Sequence, residues 1–191
     1  MSLLPRGNGF GPVFAYDAGF PHPDWQDFIA SLITRSRGRL GEIDAGALAL
    51  LDLVEGTTRS LLSYFDSVEP IAFLDDITKK NVILCGGVLS GIVDVDSVCF
   101  GDSLLTIGLT QAALLERGHD LGYIRAWTDL MNLNRSQARA LWFYTMLFCV
   151  DFMSEVGHTY NREGPLYVGP KRLRRLENTL KALLSGGPPE V

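Results

Sequence analysis

Three side chains in the middle of the chain have the types and the spacing to do chemistry. Asp76 is followed five residues later by Asn81, which leads into a short apolar run. A pair of glycines separates this run from a second one, and Asp94 follows it. Because a two-glycine turn can adopt the positive φ angles of a β-hairpin, we predict strands over 81–85 and 88–93. The hairpin would bring Asp94 back beside Asn81.

This juxtaposition predicts metal-dependent chemistry. Carboxylate and amide oxygens are the ligands that Mg²⁺ prefers, and Asn81 and Asp94 can supply them. Asp76, one loop before the same end of the hairpin, is then left to orient or deprotonate a hydroxyl nucleophile. The alternative is that the stretch FLDDITKKN, residues 73–81, is only a solvated polar turn. Its composition alone favours that alternative, and the return of Asp94 favours the chemical interpretation.

The elements around the hairpin are predicted to be helical. Apolar residues from Trp25 onward recur at i, i+3, i+4, i+7 and i+8, which is one face of a helix that starts at Asp24 and ends near Gly38 to Gly41. Asp44 can cap a second helix, which we expect Gly56 to interrupt. No strand is predicted before the hairpin. Further helices are predicted over 103–117, 120–132, 135–157 and 169–184. The fold class is therefore α+β, predominantly helical, with a central β-hairpin that carries the candidate catalytic and metal-binding acids.

Composition excludes several classes of protein. The chain has 191 residues, which suits one domain, and its net charge of −5 argues against nucleic acid or an anionic membrane as a partner. No apolar run is long enough for a transmembrane helix, and the start does not resemble a secretory signal. Cys85, Cys99 and Cys149 are widely spaced among apolar residues, so we expect them to be reduced and buried. The interpretation is a cytoplasmic protein.

The motifs resemble those of the aminoglycoside phosphotransferase and choline-kinase-like family. A D-x-x-x-x-N loop with a later metal-binding Asp is the arrangement of kinase-type phosphoryl transfer, and here it reads DITKKN and then GIVDVDSVCFGD. The resemblance covers roughly residues 20–185. It implies a kinase-like C-terminal lobe over 23–185, preceded by a loop-like lead-in over 1–22 and followed by a frayed tail over 186–191.

The resemblance also implies residue roles, with Mg²⁺ and ATP as cofactors. Asp76 would be the catalytic base that orients the hydroxyl of a small-molecule acceptor. Asn81 and Asp94 would hold Mg²⁺ against the ATP phosphates, and Asp96 would be a supporting acid close to the metal. Lys79 would either contact phosphate or be solvated.

Charged residues on the later helices have two interpretations each. The family binds its substrates on these helices, so Asp120, Asp151 and Glu155, together with Glu116, would hold a cationic acceptor or else form a solvated face. The basic run KRLRR, residues 171–175, is predicted to be the solvated face of the last helix. A solvated face is the favoured interpretation of both sets.

The sequence departs from the family pattern in two respects. Leu74 stands where the family has a histidine that braces the loop, and Asp75 replaces a glycine. Asp102 begins a predicted helix, and we expect it to have a structural role as the cap of that helix.

The resemblance also leaves no room for an N-terminal lobe, since the helix that begins at Trp25 already belongs to the C-terminal lobe, and no lysine precedes Lys79.

Two functions remain open on these grounds. The first is the catalytic lobe of an ATP- and Mg²⁺-dependent small-molecule O-phosphotransferase, with little or no activity as a lone chain unless a separate N-lobe partner completes it. The second is a non-catalytic binding or assembly module. It would associate with itself, as a homodimer, through the face on which the missing lobe would dock.

Overall fold

The computed structural model describes residues 6–13, 19–41, 45–75, 77, 81–93, 95, 98–155 and 169–188. Within these ranges an antiparallel sheet has the order β1-β5-β2, and β3 and β4 form a separate hairpin. The strands are β1 Gly11–Val13, β2 Ile71–Leu74, β3 Val82–Cys85, β4 Val88–Ile92 and β5 Val98–Gly101. The helices are α1 Trp25–Leu40, α2 Ala45–Thr58, α3 Leu62–Phe65, α4 Leu104–Glu116, α5 Gly122–Met131, α6 Arg135–Ser154 and α7 Pro170–Gly186. The predicted α+β, predominantly helical fold with a central hairpin is confirmed.

The helix ends follow the capping residues closely. The Asp24 carboxylate accepts a hydrogen bond of 2.8 Å from the backbone N–H of Asp27 and starts α1 as predicted. The predicted interruption of α2 at Gly56 is wrong, because the helix continues to Thr58. A glycine inside a helix costs only about 1 kcal/mol, which a helix packed against the core tolerates.

The three-stranded sheet was not predicted. It joins the lead-in to the middle of the chain: β5 pairs with β1 on one side and with β2 on the other. The lead-in also packs on the core, where Phe10 is buried and its N–H donates to the carbonyl of His22 over 2.9 Å. Each strand has only three or four residues. The glycines and prolines around Gly11 leave β1 without a recognisable strand pattern in the sequence.

Helix α6 is the centre of the core. It packs against α1, α2, α4 and α7, and it contributes Phe143, Tyr144 and Met146 as fully buried side chains. Gly108 of α4 lies against this helix so closely that an added Cβ would be 2.6 Å from the Cβ of Tyr144. Gly101 has a φ of +141° and lies directly on the ring of Trp25, so no side chain fits there.

Helix α7 is held to the bundle by a buried carboxylate. The side chain of Glu116 is only 3% exposed, and it accepts hydrogen bonds from Arg172 over 3.2 Å and from Arg175 over 3.3 Å. The prediction of a solvated face is therefore wrong for Glu116 and for Arg172, which is half-buried. It is correct for Lys171, Arg174 and Arg175, which are exposed. A buried charge needs partners, and the basic run supplies them.

The cysteines divide between the core and the surface. Cys99 and Cys149 are buried as predicted, and burial raises the pKa of each thiol to about 12. Cys85 is exposed, so the prediction is wrong for that residue. It lies at the end of β3, next to the hairpin turn, where both faces of the strand pair meet solvent. No helix in the described ranges is long and apolar enough to cross a membrane.

Candidate functional site

The hairpin has the two-glycine turn that the sequence predicted, and a β-bulge between Ile83 and Leu84 shifts its register by one residue. Its turn residues, Gly86 and Gly87, have φ angles of +58° and +80°, and the ends of the two strands agree with the predicted ones to within one residue. At the open end the N–H of Val93 donates to the carbonyl of Asn81 over 2.9 Å. Asn81 is 6% exposed and lies across from the residue that precedes Asp94 in the chain.

Several of the predicted site residues lie outside the described residues. These are Asp76, Lys79, Asp94 and Asp96. Among the residues that are described, no three His, Cys, Asp or Glu side chains are grouped so that they could hold a metal ion. The side-chain amide of Asn81 supplies one oxygen of the kind that Mg²⁺ accepts. The donor set that we predict for Mg²⁺ thus fits in its chemistry, and the roles of the four residues stay predictions.

The backbone on either side of Asp76 is held by two hydroxyl groups. Thr106 of α4 is 3% exposed and donates to the carbonyl of Asp75 over 2.7 Å. Tyr123 of α5 donates to the carbonyl of Ile77 over 3.3 Å. Neither residue was predicted from the sequence. A threonine within the apolar run LLTIGL was the one available signal for Thr106.

The start of α4 is fixed by a buried hydrogen-bonded chain through Asp102. One carboxylate oxygen accepts from the N–H of Leu104 over 3.0 Å, which confirms the structural role predicted for Asp102. The other oxygen accepts from the hydroxyls of Tyr64 over 2.6 Å and Tyr144 over 2.9 Å. Tyr144 in turn accepts from the indole N–H of Trp25 over 2.8 Å. Burial raises the pKa of Asp102, and its hydrogen bonds oppose the shift.

Two of the predicted substrate-binding acids form ion pairs with arginines. Asp151 accepts hydrogen bonds from Arg35 over 2.9 Å and from the Ser36 hydroxyl over 3.2 Å, both on α1. Glu155 pairs with Arg172 of α7 over 3.4 Å, and burial raises its pKa. Both acids lie at the C-terminal end of α6 and hold neighbouring helices. An acceptor would have to compete with these ion pairs.

Asp120 lies in a different place, two residues before α5. It accepts from the N–H of Gly122 over 2.6 Å and pairs with Arg125 over 2.9 Å. These hydrogen bonds lower the pKa of its carboxyl. Asp120 is three residues from Tyr123, whose hydroxyl contacts the Asp76 loop. Of the three predicted substrate acids, it is the closest in sequence to a loop contact.

Open cavities lie on two sides of the helical bundle. One of about 570 Å³ is lined by polar residues that include Tyr64, Asp102 and Asn134. Another of about 670 Å³ is lined by residues that include Trp142 and Leu183. The first cavity reaches Phe73 of β2, three residues before Asp76, and Asn81 is not among the described residues that line either cavity.

Comparisons with known proteins identify the fold. No family model matches the chain, and no curated protein matches it in sequence. Solved structures of aminoglycoside phosphotransferase APH(4)-Ia do match in fold. The chain therefore has the α+β fold of a kinase-like C-terminal lobe.

The individual matches agree with one another. A ternary complex of a thermostable APH(4)-Ia mutant with AMP-PNP and hygromycin B is 14% identical, with a TM-score of 0.67, over 95% of this chain and 58% of that one. Another crystal structure of APH(4)-Ia is 16% identical, with a TM-score of 0.66, over 96% and 59%. A mutant complex with ADP and hygromycin B is 14% identical, with a TM-score of 0.68, over 97% and 59%. The chain thus spans a little under three fifths of the length of these structures, and at these identities the likeness concerns the fold.

Proposed function

We propose that this chain is the catalytic lobe of an ATP- and Mg²⁺-dependent O-phosphotransferase that acts on a small-molecule hydroxyl. The observation that carries the proposal is at the open end of the hairpin, where the N–H of Val93 donates to the carbonyl of Asn81. This bond supports a site shared by Asn81 and Asp94. The fold gives further support, because APH(4)-Ia has been crystallised with a nucleotide and hygromycin B.

In the proposed reaction the acceptor oxygen bonds to the γ-phosphorus of ATP while the bond from that phosphorus to the bridging oxygen breaks, releasing ADP. Asp76 accepts the proton of the acceptor hydroxyl. Asn81 and Asp94 would hold Mg²⁺, which neutralises charge on the phosphates when bound. Asp96 supports that site, and Lys79 contacts a phosphate oxygen. Catalysis of this kind depends on positioning and on electrostatic stabilisation.

The lone polypeptide of 191 residues is proposed to be nearly inactive. Kinase-type transfer uses a lysine and a glycine-rich segment that hold the triphosphate from the other side. No lysine precedes Lys79 in this chain, and the solved structures of similar fold are longer by about two fifths of their length. Residues outside this span, or another chain, would have to supply those groups. The catalytic loop and the metal site would remain measurable without them.

Titration with Mn²⁺, followed by electron paramagnetic resonance, tests the proposed site. Mn²⁺ replaces Mg²⁺ at oxygen sites and gives a direct signal of binding. We expect one site in the wild-type chain that is lost in Asn81→Leu and in Asp94→Ala. It should persist in Asn178→Ala, which alters an exposed asparagine of α7. A wild-type chain that binds no Mn²⁺ even at millimolar concentration would contradict the proposal.

A transfer assay with radiolabelled ATP and hygromycin B as a trial acceptor examines the second part of the proposal. The lone chain should transfer no phosphoryl group above background. Calorimetric titration with MgATP should give at most weak heats. Rapid transfer by the lone chain would show that these residues hold the triphosphate without a second lobe.

A second candidate function is supported by the surface of the hairpin. Adjacent residues of a strand point to opposite faces, so the cross-strand pairs Leu84–Leu89 and Cys85–Val88 lie on opposite faces of the hairpin. Both pairs are exposed, and apolar groups therefore meet solvent on both faces. Exposed apolar patches of this kind mark interaction sites. The exposed set is Ile83, Leu84, Val88, Leu89, Ile92, Val93 and Val95. This surface supports a non-catalytic assembly module that forms a homodimer.

Light scattering on a sizing column at high protein concentration tests self-association. The double variant Leu84→Lys/Leu89→Lys should shift a dimer to the monomer. Leu130→Lys is the matched control, because Leu130 is also apolar and is 87% exposed, but it lies on α5. Cys85, the exposed one of the three cysteines, allows a maleimide cross-link between two hairpins. A strictly monomeric wild type that does not cross-link would rule the module out as a dimer.

A further inference from the structure

Threonines inside helices usually bond to a carbonyl one turn earlier in the same helix. Thr110 follows this habit and donates to the carbonyl of Thr106 over 3.0 Å. Thr106 does not, because its hydroxyl leaves the helix and donates to Asp75. The carbonyl of Asp102, four residues before it, is already used by the N–H of Leu105 over 3.0 Å. The hydroxyl of Thr106 is thus directed at the loop.

The donor group is itself held in place. Thr106 lies two residues after Leu104, whose N–H is fixed by the buried Asp102 carboxylate. That carboxylate is bound in turn by two tyrosine hydroxyls from α3 and α6. The hydrogen bond to the loop therefore starts from a rigid point of the core, which is what a supporting group for a functional side chain requires.

The second hydroxyl comes from another helix. The Tyr123 hydroxyl of α5 donates to the carbonyl of Ile77. The Tyr123 ring packs on that of Trp127, with centroids 5.7 Å apart. Both rings line a small crevice whose walls also include Thr106 and Ile77. Asp75 and Ile77 are the two neighbours of Asp76 in the chain. The two hydroxyls therefore hold the backbone at the residue before Asp76 and at the residue after it.

We infer that Thr106 and Tyr123 are positioning residues for Asp76, because their hydroxyls hold the carbonyls of Asp75 and Ile77. The inference rests on the proposed phosphotransfer function, because it assigns these hydroxyls a task in that site. It adds two residues from α4 and α5 that carry no catalytic chemistry of their own. Losing either hydroxyl should loosen the loop and leave the bundle folded.

The test compares Thr106→Val and Tyr123→Phe with Thr110→Val in the full chain. Valine keeps the shape of threonine and removes the hydroxyl, and the control removes a hydroxyl that bonds only within α4. Circular dichroism and thermal melting first establish that each variant is folded. Hydrogen exchange read by mass spectrometry then reports on the peptide that spans 75–81, and Mn²⁺ titration reports on the metal site.

We expect exchange in the 75–81 peptide to become about 5- to 30-fold faster in Thr106→Val and Tyr123→Phe, as the loss of one buried hydrogen bond predicts. Thr110→Val should leave that peptide unchanged. The affinity for Mn²⁺ should fall about tenfold in the first two variants, the effect of losing an outer support of a metal site. The inference would be overturned if the 75–81 peptide exchanged equally fast in Thr106→Val and Thr110→Val. It would also be overturned if Thr106→Val and Tyr123→Phe bound Mn²⁺ as tightly as the wild type does. Absence of Mn²⁺ binding in the wild type would instead overturn the proposed function and, with it, the positioning role, even if loop exchange still responded to Thr106→Val.

Discussion

Replacing Tyr144 by phenylalanine tests whether the buried chain from Trp25 to Asp102 stabilises the fold. The Tyr144 hydroxyl accepts the indole N–H of Trp25 over 2.8 Å and donates to the Asp102 carboxylate over 2.9 Å. Phenylalanine keeps the ring and its packing, so the change isolates the hydroxyl. Both Trp25 and Tyr144 are fully buried, and water cannot replace the lost partner without entering the core.

Two terms set the magnitude. A hydrogen bond to a charged group contributes about 1.5–3 kcal/mol to stability. Leaving the buried indole N–H of Trp25 unsatisfied costs about 1–3 kcal/mol more. Tyr144→Phe should therefore lower the free energy of unfolding by about 2.5–6 kcal/mol, which is a large share of the ~5–15 kcal/mol of a typical domain.

Tyr64→Phe is the matched control, because Tyr64 donates to the same carboxylate and binds no indole. Its cost should be about 1.5–3 kcal/mol. Urea unfolding followed by tryptophan fluorescence, with all proteins at the same pH, measures both values. A cost for Tyr144→Phe no larger than that for Tyr64→Phe would refute the bridging role.

A double-mutant cycle sharpens the result. In a Trp25→Phe background no indole N–H is present, so Tyr144→Phe should cost about 1–3 kcal/mol less than it does in the wild type. Additive effects of the two substitutions would mean that the hydrogen bond between Trp25 and Tyr144 contributes nothing to stability.

Three further predictions concern Asp102, two helix glycines and the ion pairs of Glu116. Burial raises the pKa of the Asp102 carboxyl in the folded state above its ordinary value of 3.8, so the folded state binds the carboxyl proton more tightly than the unfolded state does. The stability of the wild type relative to Asp102→Asn should therefore fall as the pH rises from about 4 through the folded pKa. A pH-independent difference in urea unfolding would contradict this. Gly56 lies in open space within α2, so Gly56→Ala should raise the free energy of unfolding by about 0.5–1 kcal/mol. Gly108 is pressed against α6, so Gly108→Ala should lower it by about 1–3 kcal/mol. Thermal melting should show shifts of opposite sign. Arg172→Met should cost about 2 kcal/mol in urea unfolding, less than the ~3–5 kcal/mol for breaking a fully buried pair, because Glu116 keeps a second arginine; a neutral effect would show that the pair is not stabilising.

The parts of the fold that local signals encode could be predicted from the sequence. Apolar spacing and the Asp24 cap define α1 without reference to the rest of the chain. The Gly86–Gly87 turn likewise defines the hairpin, since few residues other than glycine adopt the required φ angles. The sheet is different, because β1, β2 and β5 come from distant segments and each is too short to show a period.

The candidate site divides in the same way. The proximity of Asn81 to the chain at Asp94 follows from the hairpin, which is a local structure. The hydroxyls of Thr106 and Tyr123 reach the loop only because two helices pack beneath it, and no spacing in the sequence reports that packing. Glu116 was predicted to be solvated because an isolated acid usually is, and only the docking of α7 explains its burial.

The open hairpin has a consequence for how the site could be regulated. A two-stranded hairpin with solvent on both faces is marginally stable alone, and this one already has a shift in register between Ile83 and Leu84. A slip by one residue would turn the side chain of Asn81 to the opposite face. Any surface that covers the hairpin would hold the register in which Asn81 faces its proposed partner. Covering the hairpin and binding a metal at Asn81 would then be linked equilibria, each strengthening the other by the same factor.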